Sequence, residues 1–190
     1  MKKLLCGIFC ILMIATATSC GELDSERART LAEPLIEASQ KLDVILYGEG
    51  LGVSDVKEGK YSQVADDTYK SIEDIKSALE RVYTPELCEI IRNSTLKSST
   101  SEHGTSYARY INIDGVLYKY DEAKVYVTHP RRYDTTTIIA TNMTDRRIIL
   151  TVDTYTADAE GNYSETAENI ELKLIYDDGY GKWLLDTPTY

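Results

Sequence analysis

Tyr107-Ala108-Arg109-Tyr110-Ile111-Asn112-Ile113-Asp114-Gly115-Val116-Leu117-Tyr118-Lys119-Tyr120 is where the apolar period of the chain changes from that of helices to that of strands. Asp114-Gly115 between two apolar runs predicts a two-residue hairpin turn, whose central positions favour residues that tolerate φ > 0. That turn sets Ile113 opposite Val116, Ile111 opposite Tyr118 and Arg109 opposite Tyr120. Side chains alternate along a strand, so these six share one face, expected to be the core side. Strand patterns then run to the end of the chain. Thr135 to Asn142 is one. Arg147 to Thr156 is another, with Ile148, Leu150 and Val152 inward. Tyr163 to Tyr176 alternates through Ile170, Leu172 and Leu174, and Lys182 to Asp186 carries Trp183 and Leu185. Turns are expected at Asp158 to Asn162 and at Asp177 to Gly181.

The residues before the hairpin have helical periods. Leu31, Leu35, Ala38, Leu42 and Ile45 make one apolar stripe, on a helix of about twenty residues. Pro34 places the start of its regular part nearby, since proline is tolerated in a first turn, and Gly48 ends it. Two heptads are too few for a coiled-coil seam. A short strand is expected around Tyr61 to Val64. Ser71 with Asp74 three residues on is a capping pattern ahead of the stripe Ile72, Ile75, Leu79 and Val82. Thr84-Pro85 starts a shorter helix, with Leu87, Ile90 and Ile91 as its buried side. Asn93 to Ser106, rich in Ser and Thr, reads as a mobile loop. Helices first and a meander of strands after predict an α+β fold: N-terminal helices packed on a curved, mainly antiparallel sheet. Leu42, Ile75, Ile111 and Leu172 are expected to meet in its core.

The first twenty residues have another character. Lys2 and Lys3 precede the apolar run Leu4 to Ala15, which is too short to span a bilayer of roughly 30 Å. Ala17-Thr18-Ser19-Cys20 follows, and resembles the lipobox of bacterial lipoproteins, with Ala17 where leucine is usual. The resemblance implies cleavage before Cys20 and lipid attachment to it; the plainer alternative is an ordinary secretory signal cleaved nearby. The expected organisation is a signal over 1–20, a tether over 21–30 and one α+β domain over 31–190. The expected location is the outer face of a bacterial membrane, held by the lipid on Cys20. With Cys6 and Cys10 in the signal and Cys20 acylated, Cys88 stands alone, so neither an internal disulfide nor a cysteine metal cluster is expected. Cys88 reads as a small core residue beside Leu87, Ile90 and Ile91. The formal net charge of −10, more negative once Lys2 and Lys3 are removed, argues against nucleic acid as a partner.

Few residues offer chemistry. His103 and His129 are the only histidines. They lack the companions that a zinc site needs, so no metal and no cofactor is expected. Asp153 and Tyr155 share a strand face and could serve as base and donor; an exposed face that also holds Thr151 explains them as well. His129-Pro130-Arg131-Arg132 is a small basic spot, read as a solvated loop, and Asp177-Asp178-Gly179 as a turn rather than a calcium loop. No catalytic residue is assigned, and no enzyme activity is expected. The 15 tyrosines stand out beside one Trp and one Phe, the latter in the signal. Tyr gives contact area at low entropic cost and is enriched at interface hot spots. Tyr47, Tyr61 and Tyr69, close to loops, are the candidate binding surface. The alternative is that they pack as structural rings.

Tyr61-Ser62-Gln63-Val64, Ser71-Ile72-Glu73-Asp74-Ile75-Lys76, Leu79, Tyr83-Thr84 and Ile90-Ile91 resemble the central segment of a secreted family that inhibits peptidoglycan D,L-endopeptidases. The likeness covers about thirty residues and extends loosely through the Asp114-Gly115 hairpin. It implies a non-catalytic domain whose partner is a cell-wall hydrolase or another envelope protein. The helices followed by long strands ending in Gly181-Lys182-Trp183-Leu184-Leu185-Asp186 are also similar to the cone-shaped domains of the nuclear transport factor and ketosteroid isomerase superfamily. That likeness implies a module binding a small ligand in a pocket or, further off, an isomerase-like enzyme.

Overall fold

The computed structural model describes residues 24–102, 104–123, 131–158 and 161–189. Cys20, His103 and His129, and with them the signal and the lipid site, lie outside the described residues. In chain order the elements are α1 (Ser25–Leu46), β1 (Val53–Glu58), β2 (Tyr61–Val64), α2 (Ile72–Val82), α3 (Pro85–Thr95), β3 (Ser99–Ser101), β4 (Gly104–Ser106), β5 (Tyr110–Ile113), β6 (Val116–Tyr120), β7 (Arg131–Met143), β8 (Arg147–Thr156), β9 (Glu168–Asp177) and β10 (Lys182–Leu185). The strands form two antiparallel four-stranded sheets, ordered β1-β2-β6-β5 and β10-β9-β8-β7, and the small hairpin β3-β4. The fold is α+β, and no barrel closes among the described residues.

Helix α1 begins well before Pro34. Asp24 caps it, its carboxylate accepting from the Arg27 amide at 2.8 Å. Residues 25–30, expected as tether, are therefore helical. Pro34 is tolerated in the interior because the carbonyl left without a partner belongs to exposed Thr30, where water can serve it. The buried face runs through Ala28, Ala32, Leu35, Ile36, Ser39, Leu42, Ile45 and Leu46. Leu31 and Ala38, assigned to that face from the sequence, are only half-buried. Gly48 is needed where the chain leaves the helix: a Cβ there would lie 2.9 Å from backbone atoms of Val44.

The capping box of α2 forms as expected: Ser71 Oγ accepts from the Asp74 amide, and Asp74 accepts from the Ser71 amide. Thr84 takes the N-cap position of α3 without capping it. Its hydroxyl donates instead to Asp186 at 2.9 Å. Leu87, Cys88 and Ile91 are buried, whereas Ile90 is 60% exposed, on the outer side of a helix too short for a wide apolar face. The expected loop over Asn93 to Ser106 contains the last turn of α3 and the β3-β4 hairpin.

Hairpin β5-β6 has the expected register, with Ile113 opposite Val116 and Ile111 opposite Tyr118, and Asp114 at φ 50° and Gly115 at φ 83° in its turn. Its core side is the other face. Tyr110 and Leu117 are 0% and 1% exposed and join the core cluster; of the expected face, Arg109 and Tyr118 are buried outside that cluster, Ile111 and Ile113 are half-buried, and Val116 is 38% exposed. The polar residues beside Tyr110 and Leu117 are used on helix ends. Tyr110 Oη donates to the Ile45 carbonyl at 3.0 Å and accepts the Leu51 amide at 2.9 Å. Lys119 Nζ donates to the Leu51 carbonyl at 2.6 Å, and Asn112 Oδ1 accepts the Ile72 amide at 3.0 Å. Gly50, at φ 80°, lets the chain pass so close that a Cβ would sit 2.8 Å from Tyr110 Oη.

Leu42, Ile75 and Leu172 join the main core with Ile148, Leu150, Val152 and Leu174; Ile111 stays outside it. Inside that core lies a polar chain. The Tyr83 hydroxyl donates to Ser39 Oγ at 3.0 Å, Ser39 and Thr189 share a hydrogen bond, and Thr189 Oγ1 donates to Asp43 Oδ2 at 2.6 Å. Tyr133 Oη donates to the Thr189 carbonyl at 2.8 Å. These bonds draw the C-terminal segment between α1, β7 and the end of α2.

Burial raises the Asp43 carboxyl from 3.8 to about 6, against the opposing bonds from Thr189 and Tyr83. A raised carboxyl favours the neutral form in the folded state, so its penalty grows as pH rises from 3.8 through about 6. The unfolding free energy is expected to fall by on the order of 3 kcal/mol across that window from this group. Asp43→Asn keeps an acceptor for Thr189 and should flatten the slope. Urea denaturation at several pH values measures it; an unchanged slope in the variant would show that Asp43 is not its source.

Candidate functional site

An open cleft of about 440 Å³ lies beside the end of α1. Leu46, Ser94 and Thr95 from the ends of α1 and α3 line one part, and Ser101, Gly104, Thr105 and Ser106 of hairpin β3-β4 another. Tyr107, Arg109, Tyr120, Glu122 and Ala123 complete it. The lining is rich in hydroxyls. Some are already committed: Ser94 and Thr95 donate to the Ile91 carbonyl at 3.0 and 2.7 Å, which finishes the last turn of α3.

At the mouth stands a stack of rings. Tyr107 and Tyr120 are stacked, centroids 4.9 Å apart and planes at 27°, and Tyr61 leans on Tyr120 at 5.4 Å and 50°. Tyr61 Oη donates to the Ala108 carbonyl at 3.2 Å, which ties β2 to the segment entering β5. Tyr120 Oη donates to Glu122 Oε2 at 3.0 Å, and Lys60 Nζ lies 4.6 Å from the Tyr107 ring centroid. Burial, foremost, raises the Tyr61 hydroxyl above its ordinary range, so it stays a neutral donor. At the back, Arg109, only 6% exposed, donates through Nε to the Ile45 carbonyl at 2.9 Å and through Nη2 to that of Gly48. Its role here is structural.

The three tyrosines singled out in the sequence are not brought together. Tyr47 is 8% exposed, a member of the core with its hydroxyl 3.4 Å from Ser94 Oγ. Its ring follows the end of α1 inward, because Leu46 and Tyr47 close that helix against the core. Tyr69 packs half-buried against the core, beside Asp66 and Arg81. Tyr61 alone reaches the site. Tyr107 and Tyr120 were missed there. The pairing of β2 with β6 places Tyr61 opposite Tyr120, a link between strands about sixty residues apart in the chain that no local pattern reveals.

The other candidates resolve simply. Asp153 accepts from Asn169 Nδ2 at 3.0 Å on the half-exposed face of β8, and Tyr155 carries Arg132 over its ring at 4.8 Å. Arg131 pairs with Glu168 at 3.5 Å. Asp177 closes a turn, accepting from the Tyr180 amide at 2.9 Å. Cys88 is buried, and burial pushes its thiol up to about 11, far from a reactive thiolate. Among the described residues no group of three or more His, Cys, Asp or Glu could hold a metal ion, and no helix is long and apolar enough to cross a membrane. No known family model matches the chain, and no curated protein matches it.

Two substitutions separate the core ring from the surface ring. Tyr47→Ser should destabilise the protein by about 3–5 kcal/mol, the range for truncating a buried aromatic. Tyr107→Ser, at an exposed position, should cost less than about 1 kcal/mol. Thermal and urea unfolding of both variants decide it; equal losses would mean that Tyr107 belongs to the core as well.

Proposed function

We propose that the chain is a lipid-anchored, non-catalytic binding domain on the outer face of a bacterial membrane, and that its partner is a cell-wall hydrolase of the D,L-endopeptidase type, which it inhibits. The observation that carries the binding role is the stack Tyr61, Tyr120 and Tyr107 at the mouth of a hydroxyl-rich open cleft. Rings held by the β2-β6 pairing and by stacking on one another lose little entropy on binding, and an open cleft admits an extended segment. The hydrolase rests on the sequence likeness over Tyr61 to Ile91, and the anchor on Cys20 after its run of small residues. A second reading, a small ligand held in the cleft, is favoured by the volume of about 440 Å³, within the usual range for ligand sites.

The direct test adds the protein in excess to a D,L-endopeptidase acting on purified peptidoglycan. Inhibition is expected. The variant Tyr107→Ser/Tyr120→Ser should weaken it at least tenfold, about 1.4 kcal/mol. Full hydrolase activity in the presence of the folded wild-type protein would remove the inhibitor reading and leave the small-ligand one.

The anchor has its own test. Cys20→Ser should abolish labelling by a palmitate analogue and release the protein from membranes, with the domain still folded. Labelling of the variant at the wild-type level would sink the lipid assignment.

A further inference from the structure

Resting on the reading of the cleft mouth as the contact surface, we propose that Tyr107, Tyr120 and Glu122 receive a basic side chain of a protein partner, and that Lys60 is the chain's own occupant of that place. Lys60 is exposed on the two-residue turn between β1 and β2, with its ammonium 4.6 Å from the Tyr107 centroid. The face of an aromatic ring attracts a cation through its quadrupole, and Tyr107 is backed by Tyr120 at 4.9 Å. Glu122 stands at the edge of the same stack. Among the described residues it accepts only the Tyr120 hydroxyl, at 3.0 Å, and makes no ion pair. Its neighbour Asp121 is already paired with Lys57 at 2.8 Å.

The nearby cations are thus sorted. Among the described residues, Lys57 serves Asp121, Arg109 serves the carbonyls of Ile45 and Gly48, and Lys60 alone rests on the rings. Contact with the Tyr107 hydroxyl, foremost, and the nearby Glu122 carboxylate raise the Lys60 ammonium above its ordinary range, so it occupies the place in charged form. A long side chain held only by its tip on an exposed turn is easily displaced. An incoming lysine or arginine meets the same ring face and carboxylate, and the net charge of −10 draws basic surfaces toward the protein.

The test is a titration of the protein with acetyl-trilysine amide at low ionic strength, where exposed charges are least screened. The side-chain NMR signals of Tyr107 and Tyr120 report binding, and triglutamate and chitotriose are titrated in parallel. Lys60→Ala vacates the place, and its backbone bond from the Asp121 amide to the Lys60 carbonyl remains. Trilysine should then bind about threefold tighter, in keeping with an exposed cation–ring contact. Adding Glu122→Gln or Tyr107→Leu should erase that gain. Unchanged trilysine affinity in Lys60→Ala, or preference for triglutamate or chitotriose, would overturn the proposal. Hydrolase inhibition is read separately: if it persists while the trilysine result fails, the inhibitor reading stands and the basic ligand falls. If inhibition is absent while Lys60→Ala tightens trilysine as expected, the site stands without the hydrolase.

Discussion

The carbonyl of Ile45 in the last turn of α1, and those of Gly48, Glu49 and Leu51 where the chain leaves it, take their donors from hairpin β5-β6 and the residue before it. Arg109 and Tyr110 both donate to the Ile45 carbonyl, Arg109 also reaches that of Gly48, and Lys119 holds those of Glu49 and Leu51. A buried guanidinium set against the negative end of a helix gains from its dipole as well as from the bonds. The last turn of α1 has no basic residue of its own, so this charge has to come from elsewhere in the chain. The same hairpin face gives Asn112 to the first turn of α2. One strand pair therefore fixes the exit of one helix and the entry of the next, and the first sheet takes its position from that.

The second sheet is fastened differently. Its inner face is aliphatic, with Ile148, Leu150, Val152, Leu172 and Leu174 wholly buried. Such a surface gives affinity without direction. Direction comes from the hydroxyl chain through Tyr83, Ser39 and Thr189 to Asp43, which ties α1, the end of α2 and the C-terminal segment at one point. A buried carboxyl is a costly way to specify an arrangement, and three hydroxyl donors from three parts of the chain limit that cost.

The cleft is a by-product of these two joints. Its back is Arg109, committed to α1, and its floor is the end of α3, whose Ser94 and Thr95 turn inward to the Ile91 carbonyl. Its mouth is the pairing of β2 with β6. The rings of Tyr61 and Tyr120 are therefore positioned by the first sheet, and Tyr107, in the segment that leads into β5, is held by stacking on Tyr120, which suits a surface that must present fixed shape and charge to a partner.

What the sequence determined by itself was local. The Asp114-Gly115 turn and its register, the Ser71–Asp74 capping box and the inward positions of β8 follow from neighbours a few residues apart, and all appear in the structure. The early start of α1 was hidden by Pro34, which placed the regular part of the helix later; the Asp24 cap shows in the structure. Tertiary structure alone decided which face of the hairpin turns inward. The apolar face, with Ile113 and Val116, looked like core, yet the polar face was needed by two helix ends whose location no window of sequence contains. It likewise buried Tyr47 and brought Tyr107 and Tyr120 to Tyr61. Ring type and spacing are visible in a sequence, but whether a ring packs inward or stands at a surface depends on long-range pairing, which local physics does not encode.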